Sequence, residues 1–126
     1  VMSENSNKNM SEEDGMAIYE EIVNNVDTCK DRLDQLIFDL KKADVSGQFL
    51  CSTARFLVAV DRETFEEFLP ALIESAIEKD RERRYIGHLL EAIWGADYKE
   101  CAEELREKDD LFRKVYKRVY ATGTFD

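Results

Sequence analysis

A single proline, a single histidine and a single tryptophan stand in this chain of 126 residues, with only five glycines and three cysteines. Each scarcity excludes something. So few helix breakers leave long stretches free to form regular structure. One histidine rules out a di-iron bundle, which draws a Glu-x-x-His motif from each of two helices. Cys29, Cys51 and Cys101 lie too far apart for a CxxC-type metal site, and an odd number of cysteines fits no closed disulfide framework. All three sit within helical apolar patterns, so they read as buried or half-buried thiols in a reducing, cytoplasmic setting.

Long hydrophobic runs are also missing. The longest, Phe56 to Val60, is five residues, far short of the roughly 18 needed for a membrane span. The N-terminus is polar and has no hydrophobic signal core, so no membrane association is expected. Phosphate-binding glycine loops and G-x-S-x-G elbows are absent, and no cofactor is implied.

What is present is helix-forming. The chain is 44% hydrophobic and 37% charged, and apolar residues recur at helical spacing through most of it. Residues 1–10 are Asn- and Ser-rich and read as a disordered tail, with one helical domain over 11–126. Ser11 and Asp14 have the form of a capping box. One apolar stripe runs from Ile18 to Val26 and a second from Cys29 to Leu40, with a break expected at Asn24 to Thr28. Ser46-Gly47 interrupts the pattern before Phe49 to Val60, where Arg55 is the only charge. A helix apolar on nearly every side, over about 48–60, belongs at the centre of a bundle.

Asp61 then reads as a helix N-cap. The stripe from Phe65 to Ile77 contains Pro70, which implies a kink or a new helix opening at the proline. Asp80 or a neighbour opens a helix that Gly95 stops. Asp97 begins a short one with Tyr98, Cys101 and Leu105, and Asp109 caps the last. The expected fold is all-α: a single compact bundle of five to seven helices around the central apolar one.

Charge is unevenly spread. Residues 1–80 carry 8 basic and 18 acidic side chains, whereas 81–126 carry 10 of each, so the whole net charge of −10 belongs to the first part. The last helix bears Arg113, Lys114, Lys117 and Arg118 with no acid among them, opposite the apolar Leu111, Phe112, Val115 and Val119. Lys79, Arg81, Arg83 and Arg84 form a second basic cluster, mixed with Asp80 and Glu82.

Three functions are weighed on these residues. The first is a non-enzymatic regulatory or adaptor domain that binds another protein through charged helix faces. Its candidate binding residues are Arg113, Lys114, Lys117 and Arg118, with Tyr116 and Tyr120 at the edge; self-association is open. The second is a nucleic-acid-associated protein using the same basic helix, which the net charge disfavours. The third is a Mg²⁺-dependent helical nucleotide hydrolase. Its metal would sit on carboxylate pairs such as Glu63 with Glu66 or Glu67, Glu100 with Glu103 or Glu104, and Glu107 with Asp110. Among 28 acidic residues such pairs arise by chance. On a helix His88 would lie near Arg84 and Glu91, with no nucleophile visible in the sequence within its reach, so no catalytic residue or metal ligand is assigned.

Overall fold

The computed structural model describes residues 12–120. Seven α-helices and two short 3₁₀ turns make up this part, and there is no strand among the described residues. The helices are α1 (Glu12–Asn24), α2 (Leu33–Ala43), α3 (Gln48–Phe65), α4 (Leu69–Lys79), α5 (Gly87–Trp94), α6 (Ala102–Lys108) and α7 (Asp110–Tyr120). The all-α bundle expected from periodicity is what forms. The 1–10 tail and the Ser11 end of the capping box lie outside the described residues.

Helix α3 is the hub, touching α1, α2, α4 and α5. Its Leu50, Ala54 and Leu57 are fully buried and meet Leu40, Leu72 and Leu90 in one core. Its far end differs from the expectation of an apolar helix enclosed all round, since Arg55, Ala59 and Val60 are exposed. Helix α7 closes the other side, packed on α4, α5 and α6 through the buried Phe112 and Val115.

The breaks follow local chemistry. Helix α1 ends at Asn24, and the Asn25 carbonyl accepts from Thr28 N at 2.9 Å and Cys29 N at 2.8 Å, turning the chain where cap-like residues cluster. Asp61 leaves helical geometry inside α3, and its carboxylate accepts from the Thr64 backbone N–H at 3.2 Å and hydroxyl at 2.7 Å. The segment after Asp61 does not run on to Ile77 as one helix. A 3₁₀ turn over Glu66–Phe68 interrupts it, and α4 restarts with Pro70 in its first turn, where the missing N–H costs no helical bond. Gly95, at φ +103°, stops α5 as expected. Asp97 opens no helix: residues 96–101 are turns, and α6 begins at Ala102.

Two buried aspartates hold the central junctions. Asp44 Oδ1 accepts from Ser46 N at 3.3 Å and Gly47 N at 3.0 Å, and Oδ2 accepts from Leu50 N at 2.8 Å, so one carboxylate satisfies the start of α3. Asp80 organises the loop ahead of α5, which opens at Gly87 and not at Asp80. Its Oδ1 accepts from Arg84 N at 2.9 Å, and its Oδ2 from Tyr85 N at 2.6 Å and Ile86 N at 2.9 Å. The two loops meet at Gly47. Its φ is +88°, and a Cβ there would lie 3.1 Å from Asp80 Cβ and 3.2 Å from the Ala76 carbonyl, so glycine is required twice over.

Candidate binding face

Helix α7 carries the basic stripe because its two faces are chemically opposed: Phe112 and Val115 are buried while Arg113, Lys114 and Lys117 are exposed. Asp109 caps the helix, accepting from Phe112 N at 3.0 Å, and its second oxygen accepts from the Trp94 indole N–H at 2.8 Å. That bond fixes the helix end against α5 and ties down the one tryptophan.

The six candidate residues fall into three groups. Lys114, Lys117 and Arg118 lean towards α4 and, with Glu74 and Ile77, line a groove of about 490 Å³ between the two helices. Lys114 Nζ is 3.0 Å from Glu74 Oε2 across this groove and 3.6 Å from Asp110 Oδ2 on its own helix. Lys117 has no carboxylate at ion-pair distance among the described residues. Arg118 Nη2 donates to the Arg81 carbonyl at 3.4 Å, and its Nε is buried with no acceptor.

Arg113 turns the other way. It pairs with Asp110, and its Nη1 donates to the Arg106 carbonyl at 3.0 Å, so it braces α7 against α6. Tyr116 and Tyr120 belong to an aromatic ladder. The Tyr116 ring lies 5.3 Å from Phe112 and 4.6 Å from Tyr120, with the Arg106 guanidinium 5.4 Å above it. The Tyr120 and Tyr98 hydroxyls are 2.8 Å apart. That hydrogen bond, with partial burial, pushes the Tyr98 phenol up to about 12, because ionisation would leave a phenolate beside another hydroxyl oxygen.

The second basic cluster adjoins the first. Arg81 follows α4 directly, and the Arg118–Arg81 bond brings residues 37 positions apart into contact. Beyond Arg81, a second recess of about 460 Å³ is lined by Val45, Glu78, Lys79 and Arg81, where Val45 is 72% exposed. Arg84 pairs with Glu82 at 2.9 Å, and Lys79 donates to the Lys41 carbonyl. Sequence spacing identified both clusters. Their junction, and the roles of Glu74, Ile77 and Val45, had no sequence signal, since each depends on how α4 and α7 pack.

Other candidate chemistry stays dispersed. Among the described residues, no group of three or more His, Cys, Asp or Glu side chains is arranged to hold a metal ion. Glu104 is held by Lys108 at 2.7 Å, which draws its carboxyl below the ordinary value. His88 is exposed. Cys29 and Cys51 are buried, and burial raises both thiols; at Cys51 the charges of Asp80 and Asp44 add to the effect of burial. Cys101 departs from expectation: it is exposed, because the turns before α6 hold it outside the apolar face.

No helix of the described residues is long and apolar enough to cross a membrane. No protein-family model matches the chain, and no characterised protein or solved structure matches it significantly.

Proposed function

We propose that this protein is a non-enzymatic adaptor or regulatory domain that docks an acidic region of another protein on the face formed by α4, α7 and the Arg81 loop. One observation carries the reading. Two basic clusters far apart in sequence adjoin on a molecule whose net charge is −10. A local positive face on an acidic body attracts an acidic partner in one orientation and repels it in the others. The free cysteines fit a reducing compartment, and we assign the protein to the cytoplasm.

Nucleic acid would meet the same cations, but the body's net charge opposes a polyanion and Glu74 stands inside the groove. The test is cross-linking of the full chain in its native lysate, with and without nuclease, read by mass spectrometry. The expected result is a partner that survives nuclease, cross-links through Lys114 or Lys117, and is lost when Lys114, Lys117 and Arg118 are all replaced by Gln. Capture that vanishes with nuclease would overturn the reading in favour of nucleic acid.

A further inference from the structure

The groove between α4 and α7 is more than a patch of positive charge. Its surface is mainly apolar and is lined by Ile77 with the side chains of Glu74, Lys114, Lys117 and Arg118, whose long hydrocarbon stems can add apolar surface. Its volume of about 490 Å³ falls within the roughly 300–1,000 Å³ of clefts that enclose a ligand group. The groove's cations are not equivalent. Lys114 is already matched by Glu74, whereas Lys117 has no carboxylate partner among the described residues and Arg118 Nε has no acceptor. An open, mainly apolar groove beside the unpaired Lys117 suits a ligand that is apolar and anionic within a few ångströms. A phosphodiester backbone offers charge but nothing to cover the apolar surface.

The adjoining recess is more polar: Val45 lines it together with Glu78, Lys79 and Arg81, giving one exposed apolar foothold among charges of both signs. Arg81 links the two, since its carbonyl holds Arg118.

From this geometry we infer that the groove binds an acidic segment of a partner protein in which bulky aliphatic or aromatic side chains alternate with carboxylates. One large apolar side chain lies on Ile77, and a neighbouring carboxylate pairs with Lys117 and Arg118. A second apolar residue reaches Val45. This inference rests on the adaptor reading above and specifies the partner's chemistry. Both components are needed: the apolar residue removes water from the groove, and a carboxylate beside it then meets the cations in a less screened setting.

The test is isothermal titration calorimetry of the full chain with three synthetic peptides and a single-stranded RNA. One peptide alternates Glu with Leu and Phe, the second keeps the Glu residues but replaces Leu and Phe with Ser, and the third keeps Leu and Phe but replaces Glu with Gln. The first peptide is expected to bind, and the other two to bind at least about tenfold more weakly, a difference readily resolved in Kd. Lys117→Glu and Ile77→Ala are each expected to weaken the first peptide about tenfold, and Lys99→Glu, away from the groove, to leave it unchanged. Ile77 also packs against the core, so the exposed Lys117→Glu carries the test if Ile77→Ala unfolds.

Equal binding of the first two peptides would overturn the inference, leaving a face that reads charge alone. RNA binding more tightly than any peptide would overturn it too. So would self-association that Lys117→Glu abolishes, because the groove would then hold a second copy. If no peptide binds while a nuclease-resistant partner still cross-links through Lys114 or Lys117, the adaptor reading stands and this inference fails. If neither occurs, both fail.

Discussion

Charged groups are used in opposite ways at the Gly47 junction and on the α4/α7 face. At the junction, Asp44 and Asp80 are buried, and each accepts from three backbone N–H groups in the stretch that leads into a helix. Their hydrogen-bonding capacity is spent inside the protein. On the face, Lys117 is exposed and has no carboxylate at ion-pair distance among the described residues. A buried carboxylate tolerates this position only when fully satisfied. An exposed cation is hydrated and loses little by waiting for a partner. Stability and recognition are therefore held by different residues, and substitution separates them.

The largest effect is expected at the junction. Asp80→Ala strips the acceptor from three backbone donors and should lower unfolding free energy by about 3 kcal/mol, read from the urea midpoint. By contrast, Glu104→Gln breaks only an exposed pair with Lys108 and should leave that midpoint unmoved. Similar midpoints for the two variants would erase the distinction between junction and surface.

A smaller effect, of opposite sign, tests the same rule in the core. The Thr53 hydroxyl on α3 is fully buried and has no hydrogen-bond partner. Thr53→Val keeps the shape, removes the orphan, and should stabilise by about 1 kcal/mol. Destabilisation would mean that the hydroxyl has an acceptor.

The smallest effect belongs to the surface ladder. Tyr98 ionises later in the folded protein, near 12, than the ordinary 10 of an unfolded chain. The neutral phenol is thus favoured by folding. Its contribution is complete below the unfolded value and is lost as pH rises through about 10 to 12. Tyrosinate absorbance should show one late-titrating tyrosine, and Tyr120→Phe should bring it back towards normal because the hydroxyl that raises it is gone. An unchanged curve in that variant would separate Tyr98 from Tyr120.

How far the sequence could be read follows from the range of each interaction. Breaks made by neighbouring residues were legible: the Asn24 to Thr28 turn, the stop at Gly95 and the cap at Asp109 each depend on chemistry within a few positions. The apolar stripes likewise identified the core faces, Phe112 and Val115 among them. Features depending on distant packing were not legible. Ser46-Gly47 marked a boundary, but Asp44 as the group that satisfies it needs the folded loop. Pro70 signalled the new helix that opens there, but the form of the break, a 3₁₀ turn at Glu66–Phe68, had no signal of its own within the stripe. Asp97 has cap chemistry, but residues 96–101 settle as turns. The basic stripe was found as a helical face, yet its division into Lys114, Lys117 and Arg118 on one side and Arg113, Tyr116 and Tyr120 on the others required the positions of α4 and α6.

Trp94 gives the molecule a built-in optical gauge. It is the only tryptophan in the chain, and its indole meets α7 twice, through the Asp109 carboxylate and edge-on against Phe112 at 5.1 Å. Its emission colour therefore reports whether α7 is seated on α5. A red shift would register the departure of the helix that forms one wall of the groove, even while the rest of the bundle stays folded. Assembly of the binding face can thus be followed in unlabelled protein, separately from global unfolding.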